Sequence, residues 1–443
     1  MRFAREGKAN QHRQEPGESA MKFEKEYIAI LKEELLMATG CTEPIAIAYC
    51  AARMRDILGA VPNRIDAEVS GNILKNVKSV VVPNTGGLKG IGAAVAAGVT
   101  VGDAEKVLQV ISYVDESEHD KIRWYMENTP IKVSCSDTHR MLDIKLTGYY
   151  GGESAMVHIA NNHSNIVHEE KNGNVLRDIP VSDSAEDNLQ DKSVLNIEDI
   201  VRFADTVDLD FVKPVLDNQI RCNSAIAEEG LQGNWGANVG SVLLAEFGGD
   251  IKNEARAYAA AASDARMSGC ELPVVIVSGS GNQGITASVP VIRYAKHINA
   301  SDEKLYRALL VSNLVTVHQK TGIGRLSAYC GAVSAGCGAG AGIAYLLGGD
   351  FRTVAHTIVN AVAMLSGTIC DGAKPSCAAK IASAVEAGIL GYYMYMHEQQ
   401  FRGGDGIVAK GVENTIRNVG RLASQGMKQT DEVILKIMTD GAV

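Results

Sequence analysis

Nine cysteines stand among the 443 residues, and two of them bracket a stretch with chemical potential, Ile369-Cys370-Asp371-Gly372-Ala373-Lys374-Pro375-Ser376-Cys377. Gly372 and Pro375 both oppose a continuous helix. A loop between helices can curl back, bring two thiols to one point and aim backbone N–H groups at sulfur, which steadies negative charge. A metal–thiolate site needs those features. Two buried structural cysteines at a helix junction would carry the same residues, and the spacing is not a short zinc spacing.

Cys330 and Cys337 form a contrasting pair. Seven residues apart on one helix, they share a face but lie about 10.5 Å apart along the axis. Two ligands of one zinc, each at roughly 2.3 Å, cannot be so distant. One of the two at most can join a metal site, and Cys330, nearer the helix start, is favoured by the dipole. Cys337, among glycine and alanine, reads as a small core residue. Cys41 precedes the turn Thr42-Glu43-Pro44, where free N–H groups can stabilise a thiolate. That makes it a candidate nucleophile, base or ligand, or else a buried small residue at a turn.

Gly279-Ser280-Gly281-Asn282-Gln283-Gly284 follows an apolar run and precedes a helical pattern. It matches G-x-G-x-x-G, but no βαβ unit follows, so a small carboxylate is as good a ligand for its amides as a dinucleotide. Pro83-Asn84-Thr85-Gly86-Gly87 reads as a tight turn. His158, His163 and His168 recur every five residues within expected strands, so neighbours should point to opposite faces and form no metal face. Ala332-Val333-Ser334-Ala335-Gly336 imitates a nucleophile elbow without the preceding strand. Lys374 reads as a charge complement to thiolates.

These residues need elements to position them. Helical periodicity covers Phe23 to Met37 and Ile45 to Leu58, with Thr42 as cap and Pro44 in the first turn. Ile65 to Ser70 alternates like a strand. From Ile131 the period becomes two, giving strands at Ile131 to Cys135, Met141 to Tyr149, Ser154 to Asn161 and Ile166 to Glu170, joined by turns. An antiparallel sheet with helices on one face follows from that pattern. Asp178 to Lys192 is polar and acidic, as a linker would be. Beyond Ser193 the chain reads as helical, with Leu272 to Ser278 as the one buried-strand pattern. The expected fold is therefore α+β. A mainly helical catalytic domain (21–60 and 193–443) would carry an inserted α+β domain and linker (61–192) with a small antiparallel sheet.

Composition narrows the function. With 43 basic and 52 acidic residues the formal charge is −9, which disfavours nucleic acid and anionic membranes as partners. The 45 glycines cluster beside alanine runs, which implies close backbone approaches. Met1 to Ala20 has no apolar stretch and reads as a disordered extension, with Met21 as the expected start. An odd cysteine number without a secretory signal points to reduced thiols in the cytoplasm. Leu326 to Gly349 is long enough for a membrane span but is glycine- and alanine-rich, so a buried helix is expected.

The set Gly40-Cys41-Thr42-Glu43-Pro44, Cys330-Gly331-Ala332-Val333, and Cys370-Asp371-Gly372-Ala373-Lys374 with Cys377 resembles the L-cysteine desulfidase family, itself related to the α-chain fold of iron–sulfur L-serine dehydratases. The resemblance covers nearly the whole chain from Met21. It implies a lyase that converts L-cysteine to pyruvate, ammonia and hydrogen sulfide without pyridoxal phosphate. A 4Fe-4S cluster would be held by Cys330, Cys370 and Cys377, leaving one iron open as a Lewis acid. Cys41 would act as base or as resting fourth ligand. Thr42, Ser280, Gly281 and Asn282 would bind the substrate. The related serine dehydratases carry histidine in the turn where this chain has Cys41, which favours a thiol substrate. A small-molecule amino-acid substrate and a homodimer are expected, with no nucleic-acid or membrane partner. The alternatives are an L-serine or threonine dehydratase of the same fold, a pyridoxal-phosphate lyase, and a non-catalytic metal-binding or thiol-sensing protein.

Overall fold

A computed structural model describes residues 22–39, 42–138, 140–181, 190–324 and 327–440. The extension expected over 1–20 and the candidate Cys41 lie outside the described residues.

In chain order the first elements are α1 (Glu24–Glu34), β1 (Met37–Thr39), α2 (Thr42–Leu58), β2 (Arg64–Val69), α3 (Gly71–Val77), α4 (Gly90–Val101) and α5 (His119–Asn128). Five strands follow: β3 (Ile131–Cys135), β4 (Asp143–Tyr150), β5 (Glu153–Ala160), β6 (Ile166–Lys171) and β7 (Asn174–Asp178). The helical part comprises α6 (Ile197–Thr206), α7 (Lys213–Gln232), α8 (Val239–Phe247), α9 (Ile251–Met267), strand β8 (Pro273–Val275), α10 (Gly281–His297), α11 (Asp302–Ile323) and α12 (Gly331–Leu346). It closes with α13 (Phe351–Leu365), α14 (Cys377–Met396), α15 (Val412–Arg421) and α16 (Lys428–Asp440). The class is α+β, as the sequence implies.

The larger sheet has the order β3-β2-β4-β5-β6-β7. It is mixed rather than wholly antiparallel, because β2 and β3 run parallel, Ile65 opposite Ile131 and Val69 opposite Cys135. The chain between them holds α3, α4 and α5 and has the length a parallel crossover requires. Ile65, Ala67, Val69, Ile144, Leu146, Val157 and Ile159 point to one face and are buried there with α2 and α4. Helices do lie on that face. Edge strand β7 escapes the alternation pattern because all five of its residues are exposed.

Met37, expected as the end of a helix, is instead in a strand. α1 stops at Glu34, the Ile276 N–H donates to the Leu36 carbonyl at 2.9 Å, and Met37 pairs with Val275. A three-residue strand is too short to show a period of its own.

Two cores result. Tyr27, Phe203 and the buried faces of the later helices form one, while α2 packs into the other against the sheet. The packing therefore changes core between β1 and α2, whereas the sequence grouping keeps residues 21–60 together. The glycine–alanine run of α12 is buried against α14. A methyl at Gly340 would stand 2.6 Å from the Gly388 Cα, so the axes can close up only with glycine there. No helix among the described residues is long and apolar enough to cross a membrane.

Candidate active site

Two loops are zipped together beneath the cysteines. Tyr329 and Ile369 form an isolated antiparallel bridge; the Cys330 N–H donates to the Thr368 carbonyl at 3.0 Å and the Cys370 N–H to the Ala328 carbonyl at 2.5 Å. Cys330 is the extended N-cap residue of α12. The bridge sets Cys330 and Cys370 side by side, and the Cys330 thiol donates to the Cys370 sulfur. Cys377 opens α14, and its thiol donates to the Gly372 carbonyl at 3.6 Å.

Each sulfur also receives a backbone N–H: Ala332 serves Cys330, Gly372 serves Cys370 and Lys374 serves Cys377. The donated Cys330 hydrogen bond holds the Cys370 thiol well below the usual thiol range, aided by the Gly372 N–H and by Lys75 and Lys320, against the effect of burial. Donation to Cys370, together with burial, pushes Cys330 up, and burial pushes Cys377 up. The structure thus brings together the three cysteines singled out as cluster ligands. Among the described residues, no three or more His, Cys, Asp or Glu side chains close on a single metal-ion position. Cys337 stays apart from the trio, two turns along α12, its thiol pushed up to about 12 by burial alone.

Lys374 complements the Cys377 thiol by charge, as the sequence suggests, and Lys380 does the same. Lys374 is ion-paired with Asp371, which also takes Lys380 at 2.5 Å. The cations facing Cys370 are Lys75 from α3 and Lys320 from the last turn of α11. Lys75 is buried and bonded to Asp431 of α16 at 2.5 Å. Burial pushes the Lys320 ammonium down, against the pull of Cys370 and Cys330. Neither lysine lies near a cysteine in the sequence, so no local spacing could have found them.

The same α3 ties in the start of α2. Asn76 donates to Glu43 at 3.2 Å, and the Lys75 carbonyl lies directly under Gly372. Thr42 begins α2 next to this contact. The short strand pair supplies a second link: Ala38 pairs with Val274, whose methyl would be 2.8 Å from a Cβ on Gly281. Residues 37–39 therefore run alongside the start of α10. There the Ser280 hydroxyl caps the helix, accepting the Gln283 N–H at 3.4 Å. Gly281 leaves room for Arg266, and Asn282 contacts Arg266 and Met267. These side chains serve capping and packing, while Gln283, not singled out from sequence, lies against Gly331 beside Cys330.

Of the three histidines, His163 lies in the turn between β5 and β6 and not within a strand. His158 and His168 sit directly opposite each other on β5 and β6, on one face, because the hairpin folds positions equidistant from its turn together. They bond Asp143 and Asp178 respectively, each at 3.0 Å.

Residues 105–436 match the serine dehydratase alpha chain family. The chain belongs to that family. Cys330, Cys370, Cys377 and the Gly279–Gly284 loop all fall inside the matched residues, and Thr42 falls before them. Among relatives of this serine dehydratase-like chain, a UPF0597 protein of Desulfitobacterium hafniense is 59% identical over 93% of this chain and 96% of its own length. One from Treponema denticola is 48% identical over 93% of this chain and 97% of its own. One from Bacteroides fragilis is 38% identical over 94% and 98%.

Proposed function

We propose that this chain is an iron–sulfur lyase that carries out β-elimination on L-cysteine, yielding pyruvate, ammonia and hydrogen sulfide. One observation carries the reading: three thiols from two chain segments lie near one another, each given a backbone N–H, with the ammonium groups of Lys75, Lys320, Lys374 and Lys380 around them. That donor set suits three thiolates holding a 4Fe-4S cluster through Cys330, Cys370 and Cys377, since amide dipoles and cations offset clustered negative charge. When bound, such a cluster supplies a Lewis-acidic iron for the leaving group.

The chain's own residues supply the remaining chemistry. Cys41 takes the α-proton as the bond from Cβ to sulfur breaks. The first-turn N–H groups at Gly281 and Asn282, unpaired within α10 as at any helix start, bind the substrate carboxylate together with Thr42. The aminoacrylate released by elimination hydrolyses in water to pyruvate and ammonia. The eight described cysteines are all free, which suits a reducing cytoplasm, and a homodimer remains part of the proposal.

The family match supports a second reading, dehydration of L-serine on the same site. Anaerobically purified protein decides between them. Pyruvate and sulfide formed from L-cysteine, in excess of pyruvate from L-serine at equal concentration, are expected. Faster turnover of L-serine would establish the second reading, and no turnover of either would refute both.

A further inference from the structure

The loop before α10 contains a buried side chain that the packing leaves unused. Gln283 lies in the first turn of α10 and is only 6% exposed. Its backbone N–H is taken by the Ser280 hydroxyl, but its side-chain amide makes no hydrogen bond to any described residue, and Oε1 is shielded from water. The amide lies flat on Gly331. A methyl there would be 2.6 Å from the Gln283 Cδ, 2.7 Å from Nε2 and 2.9 Å from Oε1. Gly331 is the first residue of α12 and follows Cys330, an N-cap whose side chain caps nothing. A shielded acceptor without a donor is costly, so buried amides are almost always satisfied. Here the amide borders the thiol cluster and the starts of two long helices, and it explains why position 331 is glycine.

We propose that Gln283 Oε1 binds the α-ammonium group of the amino-acid substrate. An ammonium offers donors only, which matches an orphaned carbonyl oxygen. A carboxylate offers acceptors only, which matches the free N–H groups of the same helical turn. The first turn of α10 thus presents an acceptor and donors to the two ends of a zwitterion. Gripping the ammonium fixes rotation about Cα and so directs the α-hydrogen. This inference rests on the lyase reading for its substrate class.

The test uses two ligands that cannot undergo elimination productively. L-Alanine has both the amine and the carboxylate; 3-mercaptopropionate has the thiol and the carboxylate but no amine. Their affinities for anaerobically purified wild type, Gln283→Met and Gln283→Glu are measured by titration calorimetry. In Gln283→Met, L-alanine affinity should fall roughly 10- to 100-fold, the loss of one hydrogen bond to a charged group. The affinity for 3-mercaptopropionate should change less than about threefold. Gln283→Glu keeps an acceptor and should hold L-alanine within about threefold of wild type. Equal loss of both ligands, loss of 3-mercaptopropionate alone, or unchanged L-alanine affinity in Gln283→Met would each overturn the assignment. If Gln283→Met does not fold, loss of L-alanine binding by a folded Gln283→Glu overturns it equally. Turnover is followed on the same samples. Wild-type turnover with Gln283-independent L-alanine binding overturns this inference and leaves the lyase reading intact. Gln283-dependent binding without any turnover overturns the lyase reading and supports the inference. Absence of both overturns both.

Discussion

Replacing Gly372 with alanine probes how firmly the cysteine loop is seated on α3. The residue has φ +93°, a region L side chains avoid, and its added Cβ would stand 2.0 Å from the Lys75 carbonyl oxygen and 2.7 Å from the carbonyl carbon. The conformational strain alone costs about 1–2 kcal/mol. The clash is with backbone, so no rotamer change relieves it; the loop and α3 must part, at a further cost of about 1–3 kcal/mol. Gly404→Ala isolates the first contribution, because Gly404 has φ +108° and nothing within 4 Å of the added carbon. Urea unfolding under argon should therefore place Gly372→Ala about 1–3 kcal/mol below Gly404→Ala in stability. Parting the two segments also draws Lys75 away from Cys370 and disturbs the Gly372 N–H that serves its sulfur. Iron and acid-labile sulfide per chain should accordingly fall in Gly372→Ala and stay at the wild-type level in Gly404→Ala. Equal stability of the two variants, with iron retained in both, would refute the seating described here.

Two further outcomes test other parts of the molecule. Cys370→Ser should lose both iron and turnover, whereas Cys41→Ser should keep most of its iron and lose turnover; full activity in Cys41→Ser would remove its role as base. Asp264 is buried and accepts the Gly240 N–H at 3.2 Å, yet burial raises its carboxyl to about 6. A raised carboxyl means the folded state holds a proton that the unfolded chain releases, so wild-type stability should fall as pH rises from about 4 to 6, by at most roughly 3 kcal/mol. The slope should be absent in Asp264→Asn, as read by unfolding at fixed pH steps, and its persistence there would assign it to other groups.

Much of the site could be read locally. Gly372 and Pro375 break the helix between Cys370 and Cys377, and the seven-residue spacing of Cys330 and Cys337 separates ligand from core residue, because both are consequences of chain geometry over a few residues. The sheet was legible where one face is buried, as in β4 and β5, and illegible in β7, where no residue is buried and no alternation exists. The parallel pairing of β2 and β3 is invisible for another reason: both orientations show the same alternation, and only the helices packed between them decide the direction of return.

The sequence by itself determined which residues could act: the cysteine types, the helix breaks beside them and the glycines that admit close backbone contact. The tertiary structure alone decided what surrounds them. Lys75 is some 300 residues from Cys370 in the chain yet faces its sulfur, and Gln283 reaches Gly331 only because α10 and α12 start side by side. Side-chain chemistry and local backbone preference are properties of short segments. The electrostatic field and hydrogen-bonding partners of a buried group come from whatever segments packing brings within a few ångströms, and no spacing in the sequence encodes that distance.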